Sequence, residues 1–405
     1  MFKLPNIGPA VLVTAAFIGP GTVITASLAG ANYGFSLLWA LVFSVLATIV
    51  LQEMAARLGV VTQQGLGENI RLACGNNISK FLSVLLIVGA IVIGNAAYQG
   101  GNISGASLGL SQLIAFSSPF DLSQIWPALI GVIAFVVLVT GSYGIIEKSL
   151  VLLVGIMSLA FLASFVLIEF DWSLFFTGLF VPSLPVGATL TVVALIGTTV
   201  VPYNLFLHSA AASKKWHKAE QIPEMRKDLY LAIPLGGLIS IAIVSTAASA
   251  FFGQQVNIAN AADIAPALAP VFGDLSAMCV AIGLFSAGIS SAITAPLAAA
   301  FALSGILNLN KDLNAWSFKL IWFIILVLGV FIASSGYKPI SVIWFAQVAN
   351  GLLLPIVVVF LIWMLNNPTL KNHRNTLKQN ILASVVLLVT ILLSARSLLS
   401  AFNFL

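Results

Sequence analysis

Long apolar runs alternate with short polar segments along this chain. A helix needs about 20 apolar residues to cross the hydrocarbon of a bilayer. Eleven stretches meet that length: 9–33, 36–58, 80–106, 125–144, 148–169, 189–212, 229–252, 275–306, 317–335, 339–365 and 379–403. The third and eighth are long enough to tilt or to project beyond the bilayer. The polar stretches 59–79, 213–228 and 366–378 read as connecting loops. Two of the apolar runs are interrupted, the first by Gly19-Pro20-Gly21-Thr22 and the sixth by Val201-Pro202-Tyr203-Asn204. Lipid supplies no hydrogen bonds, so a broken helix survives there only if it is buried in protein or lines a polar cavity.

Composition narrows the class. The chain is 60% hydrophobic and 7% charged, against roughly 25% charged residues in a soluble domain. It reads as an all-α, multi-pass membrane protein forming one domain over 1–405. If the N-terminus lies in the cytoplasm, every Lys and Arg except Lys338 and Arg396 falls on or near that side. This obeys the positive-inside rule, supports the count of eleven and places the C-terminus outside. Short loops favour a bacterial inner membrane. The net charge of +5 then reflects topology, and no nucleic-acid partner is expected. Lys214 to Lys227 reads as a solvated loop facing anionic lipid. Cys74 and Cys279 lie too far apart to suggest a metal motif or disulfide framework. No signal peptide, nucleophile–base pair or cofactor motif stands out, so neither an enzyme nor a cofactor is expected. The expected partners are the bilayer and an ion or small molecule; the oligomeric state, a monomer included, stays open.

Eleven spans divide as five, five and one. An odd number of spans per repeat gives the two copies opposite orientation, and the breaks fall in the first span of each copy. The expected repeats are 9–169 and 189–365, with 379–403 outside them. This is the plan of the LeuT-like fold, in which the two broken helices face each other around a central site.

The residues around the breaks resemble the NRAMP family of proton-coupled divalent-metal transporters, and the similarity extends over nearly the whole chain. It is carried by Ala16-Phe17-Ile18-Gly19-Pro20-Gly21-Thr22, by Gly34-Phe35-Ser36-Leu37-Leu38-Trp39 and by Val201-Pro202-Tyr203-Asn204-Leu205-Phe206-Leu207-His208-Ser209. Ser290-Ser291-Ala292-Ile293-Thr294 and the stretch from Gln347 to Pro355 add to it. The resemblance implies a substrate site at Gly19, Pro20, Gly21, Thr22, Thr198, Val201, Tyr203, Asn204 and Gln347. It also implies a coupling path past Asn95, Tyr98 and His208. Several family ligands are replaced. Gly19 and Thr22 stand where the family has Asp and Asn, Val201 where it has Met, and Tyr203 where it has His. Asn95 and Tyr98 stand at the acidic positions of the family's proton route.

Charge then bears on the cargo. Of the twelve acids, Glu53 alone lies inside a span, with Arg57 one turn on as an i,i+4 partner. A dehydrated divalent ion at mid-membrane needs compensating charge. The replaced ligands therefore point to a carrier of a small organic substrate, held by the amides of Gly21, Thr22 and Val23 at a half-helix N-terminus. Asn95, Gln99 and Asn102 share one face of the third span, and with Ser104 they line a path or bond neighbouring helices. The alternative is a divalent cation, hydrated Mg²⁺ or Mn²⁺, held by Thr22, Thr198 and Gln347, because Mg²⁺ keeps several waters and needs few direct ligands. A further alternative is a membrane sensor that does not transport.

Overall fold

The computed structural model describes residues 8–401, apart from 11–12, 15–17, 75–76, 115–124, 141–142, 255–257 and 311. Side chains at 77, 79–80, 143–151 and 400–401 are likewise not described. Lys3, Ala16, Phe17, Asp121, Lys311 and part of the first predicted span therefore lie outside the described residues.

The described elements are all helical. The main helices are α1 (Pro20–Tyr33), α2 (Leu38–Thr62), α3 (Leu66–Ala73), α4 (Asn77–Leu113), α5 (Ile125–Thr140), α6 (Tyr143–Leu167) and α7 (Trp172–Phe180). They continue as α8 (Thr189–Thr199), α9 (Pro202–Lys215), α10 (Ile222–Phe251), α11 (Ser276–Leu307), α12 (Trp316–Ala333), α13 (Pro339–Leu365) and α14 (Leu377–Ala401). Among the described residues, eight helical stretches are long and apolar enough to cross a membrane, counting α8 and α9 as one. Ile125–Thr140 and Leu152–Leu167 are shorter apolar helices.

Both breaks form where the sequence places them. Pro9, Ala10, Val13 and Thr14 are helical. The chain then turns extended at Gly19 (φ −111°, ψ −174°), and Pro20 opens α1. The second break has the same construction: α8 stops at Thr199, Val201 is extended (φ −78°, ψ 123°), and Pro202 opens α9. Pro suits a first helical position, where its missing N–H would have no partner in any case.

Small residues let the bundle close. Buried Gly, Ala and Ser dominate α11, which packs along α4. Such residues allow close backbone approach where lipid gives no hydrophobic drive between helices. The loops are more structured than expected. Within 59–79, α2 runs on to Thr62 and α3 forms, its entry fixed by Glu68 Oε2 accepting the Gly65 N–H at 2.7 Å. α7 was not foreseen as a separate element. Asp171 caps it, accepting from the Ser173 and Leu174 N–H groups at 2.7 and 3.2 Å. α4 is longer than its predicted span, with 37 residues.

Candidate functional site

The two breaks meet. The Thr22 and Thr198 hydroxyls are hydrogen-bonded at 2.7 Å across 176 residues of sequence. α13 crosses both breaks at Gln347. A Cβ on Gly21 would collide with the Gln347 side-chain amide, and a Cβ on Gly197 with its backbone carbonyl. Gln347 is therefore seated between the broken helices because neither glycine has a side chain.

Around this junction the structure gathers neutral polar groups. Thr22, Thr198, Asn204 and Gln347 are all within 1% of complete burial. Gln347 Oε1 and both side-chain amide atoms of Asn204 have no hydrogen-bond partner in the protein. Leaving such atoms buried and unpaired costs about 1–3 kcal/mol each, a cost that a water or ligand beside them would relieve. The final carbonyls of α8, including that of Thr198, lie in the last turn, where intrahelical donors run out. Just past the breaks the Thr22 and Val23 N–H groups donate to the Gly19 carbonyl at 3.1 and 3.2 Å, and the Asn204 N–H donates to that of Val201 at 3.0 Å, so the Thr22 and Val23 amides expected to hold an organic substrate are already paired. The centre thus presents hydroxyl and carbonyl oxygens and amide groups. Among the described residues, no group of three or more His, Cys, Asp or Glu is placed to hold a metal ion.

The other expected residues divide between the junction and its surroundings. Tyr98 of α4 packs on Tyr203, with ring centroids 5.4 Å apart. Val201 is fully buried and apolar, so its side chain offers no donor atom. Asn95 bonds back to its own helix, donating to the Ile91 carbonyl at 2.9 Å, and its Oδ1 has no partner. Gln99 turns toward α11 and donates to the Ala292 carbonyl at 2.9 Å, a bond between helices. Asn102 and Ser104 are buried, with Asn102 Nδ2 and Ser104 Oγ unpartnered. His208 is fully buried on α9, and its Nδ1 lies 2.8 Å from Gln52 Oε1. An amide oxygen only accepts, so Nδ1 carries the proton and Nε2 presents its lone pair.

Sequence reasoning missed two residues. Gln52, the partner of His208, stood unremarked beside Glu53. Asn350 is buried with an unpartnered Nδ2 one turn from Gln347. Their signal was present as uncharged amides inside apolar spans.

Broken helices meeting in an all-helical bundle define a secondary transporter of the LeuT-like fold. MhsT in complex with L-phenylalanine is similar over 96% of this chain and 98% of its own, at 16% identity and a TM-score of 0.61. The Eremococcus coleocola manganese transporter, solved with an aromatic bis-isothiourea compound, gives a TM-score of 0.77 at 21% identity. That match covers 97% of this chain and 86% of the other. The sequence carries the assignment further: residues 10–400 match the natural resistance-associated macrophage protein-like family, and the chain belongs to it. Among similar relatives are two proteins named divalent metal cation transporter MntH. That of Acidiphilium cryptum is 27% identical over 88% of this chain and 81% of its own. That of Granulibacter bethesdensis is 27% identical over 98% and 88%.

Proposed function

We propose that this protein carries a divalent metal cation across the membrane and that the ion keeps much of its hydration shell at the central site. The observation that carries the reading is the set of unpartnered neutral polar atoms, Gln347 Oε1 and the Asn204 amide, buried where the two breaks meet. Oxygen donors suit hard divalent ions, and Mg²⁺ in particular keeps several waters. A hydrated ion spreads its charge over a larger radius, which lowers the need for a carboxylate. The relatives named for divalent metal cations favour this cargo over the small organic substrate expected from the replaced ligands.

In this reading Thr22, Thr198, Asn204 and Gln347 contact the ion or its waters, and Gly19, Pro20 and Gly21 shape the break. Val201 replaces a sulfur donor with a methyl surface, which lowers preference for softer ions. Tyr98 and Tyr203 wall the site, while Asn95, Gln99 and Asn102 support α4. His208 Nε2 is the candidate proton acceptor on the way to the cytoplasm. The basic end of the bundle faces the cytoplasm, and the halves 9–169 and 189–365 move as inverted repeats, with 379–403 outside them. Uptake of Mg²⁺ and Mn²⁺ into proteoliposomes tests the reading. Saturable flux of at least one ion is expected, reduced roughly tenfold in Gln347→Ala as one site contact is lost. Absence of divalent-ion flux from folded, reconstituted protein overturns it.

A further inference from the structure

Two arginines share one buried carboxylate. Glu53 of α2 is 6% exposed and Arg57, one turn on, is 3% exposed. Glu53 Oε1 accepts from Arg57 Nε at 3.0 Å and from Arg226 Nη2 of α10 at 2.7 Å. Arg57 Nη2 continues the chain of bonds to Asn375 Oδ1 at 2.6 Å, and Nη1 bonds the His373 carbonyl. One carboxylate thus joins α2 directly to α10, and through Arg57 to the segment between α13 and α14.

The same turn of α10 also holds the first broken helix. Asp228 Oδ2, two residues beyond Arg226, accepts the Ala10 N–H at 3.0 Å. Beside the network lies an apolar plug in which Ala56 and Val60 of α2, Ala212 of α9, Trp216, and Ile222 and Met225 of α10 pack together. The network ties α2 to α10 beside this plug, and these two helices cannot separate there without parting Glu53 from Arg226.

We propose that Glu53 is the central positioning residue of a gate at this end, holding it shut until transport parts α2 from α10; the inference rests on the transporter reading above. Buried ion pairs contribute little net stability, yet removing one partner is strongly unfavourable because the other charge is stranded. Such a pair defines a closed arrangement sharply and opens as a unit. Removing the carboxylate leaves two guanidiniums facing each other and shifts the population toward the open end.

The test reads access to the plug. Ala212→Cys, in a background with Cys74→Ser and Cys279→Ser, reports the rate of N-ethylmaleimide reaction in liposomes. Ala261→Cys, a buried position beyond the opposite end of α10, is the control. Glu53→Gln and Arg226→Gln are each expected to speed labelling at 212 by roughly tenfold, with no such rise at 261. The double variant should add little to either, because both remove one interaction. Arg226 has a side chain 38% exposed, so Arg226→Gln decides the matter if Glu53→Gln does not fold. Unchanged labelling at 212, or an equal rise at both positions, overturns the gate. The labelling needs no cation, so a failure of Mg²⁺ and Mn²⁺ flux bears on the proposed cargo and leaves this result readable.

Discussion

Gln347 reaches the centre of the molecule through space that Gly21 and Gly197 leave open. Adding a methyl group at Gly197 forces a shift of α13, because it meets the Gln347 backbone carbonyl, whereas one at Gly21 meets the end of the Gln347 side chain and displaces it from the breaks. Gly21→Ala is therefore expected to destabilise the fold by about 1–3 kcal/mol and to lower the thermal midpoint in detergent. Gly197→Ala should be the worse of the two, since a backbone carbonyl cannot swing aside. An unchanged midpoint in both would mean that α13 does not rest on the breaks. Thr22→Val tests the hydroxyl contact with Thr198. It keeps the shape and removes one buried hydrogen bond, a loss of about 0.5–1.5 kcal/mol. A midpoint equal to the parent's would remove that bond from the account of how the breaks are joined.

At the scale of elements, each break is set by a proline at the first position of its second half-helix. Within a continuous helix such a proline costs about 3 kcal/mol, so it biases the chain strongly toward interruption. Pro20→Ala and Pro202→Ala should relax that bias, allow partial repair of the helix and reduce cation flux without loss of helical content. Circular dichroism and flux on the same preparation check this; undiminished flux from both variants would show that tertiary packing alone maintains the breaks. These interruptions were legible in the sequence because they depend on local chemistry. α3 and α7 were less legible. Their caps, Glu68 on Gly65 and Asp171 on Ser173 and Leu174, are short-range signals; α3 lies in the stretch 59–79, whose polarity suggested a loop, and α7, though apolar, has too few residues to read as a span.

For the whole molecule, the distribution of basic residues predicts the orientation in the membrane. Tyr337 lies exposed in the turn between α12 and α13, and Lys218 lies exposed between α9 and α10. In vesicles of native orientation lacking Cys74 and Cys279, an impermeant maleimide added outside should label Tyr337→Cys and spare Lys218→Cys. The reverse pattern would invert the topology. The charge argument about cargo was also a whole-molecule argument. It set an organic substrate ahead of a hydrated divalent cation, and the relatives named for divalent metal cations favour the second of these.

Apolar run length, the two prolines and the one-sided placement of Lys and Arg made candidate spans, the breaks and an expected orientation legible in the sequence, because each acts within a turn or two of helix or through the bilayer itself. Tertiary structure alone decided which polar atoms meet. Thr22 with Thr198, His208 with Gln52, and Glu53 with Arg226 are pairs more than 150 residues apart. Their contact depends on how each helix is rotated and seated against its neighbours, and that is set by close packing of small side chains along the whole bundle.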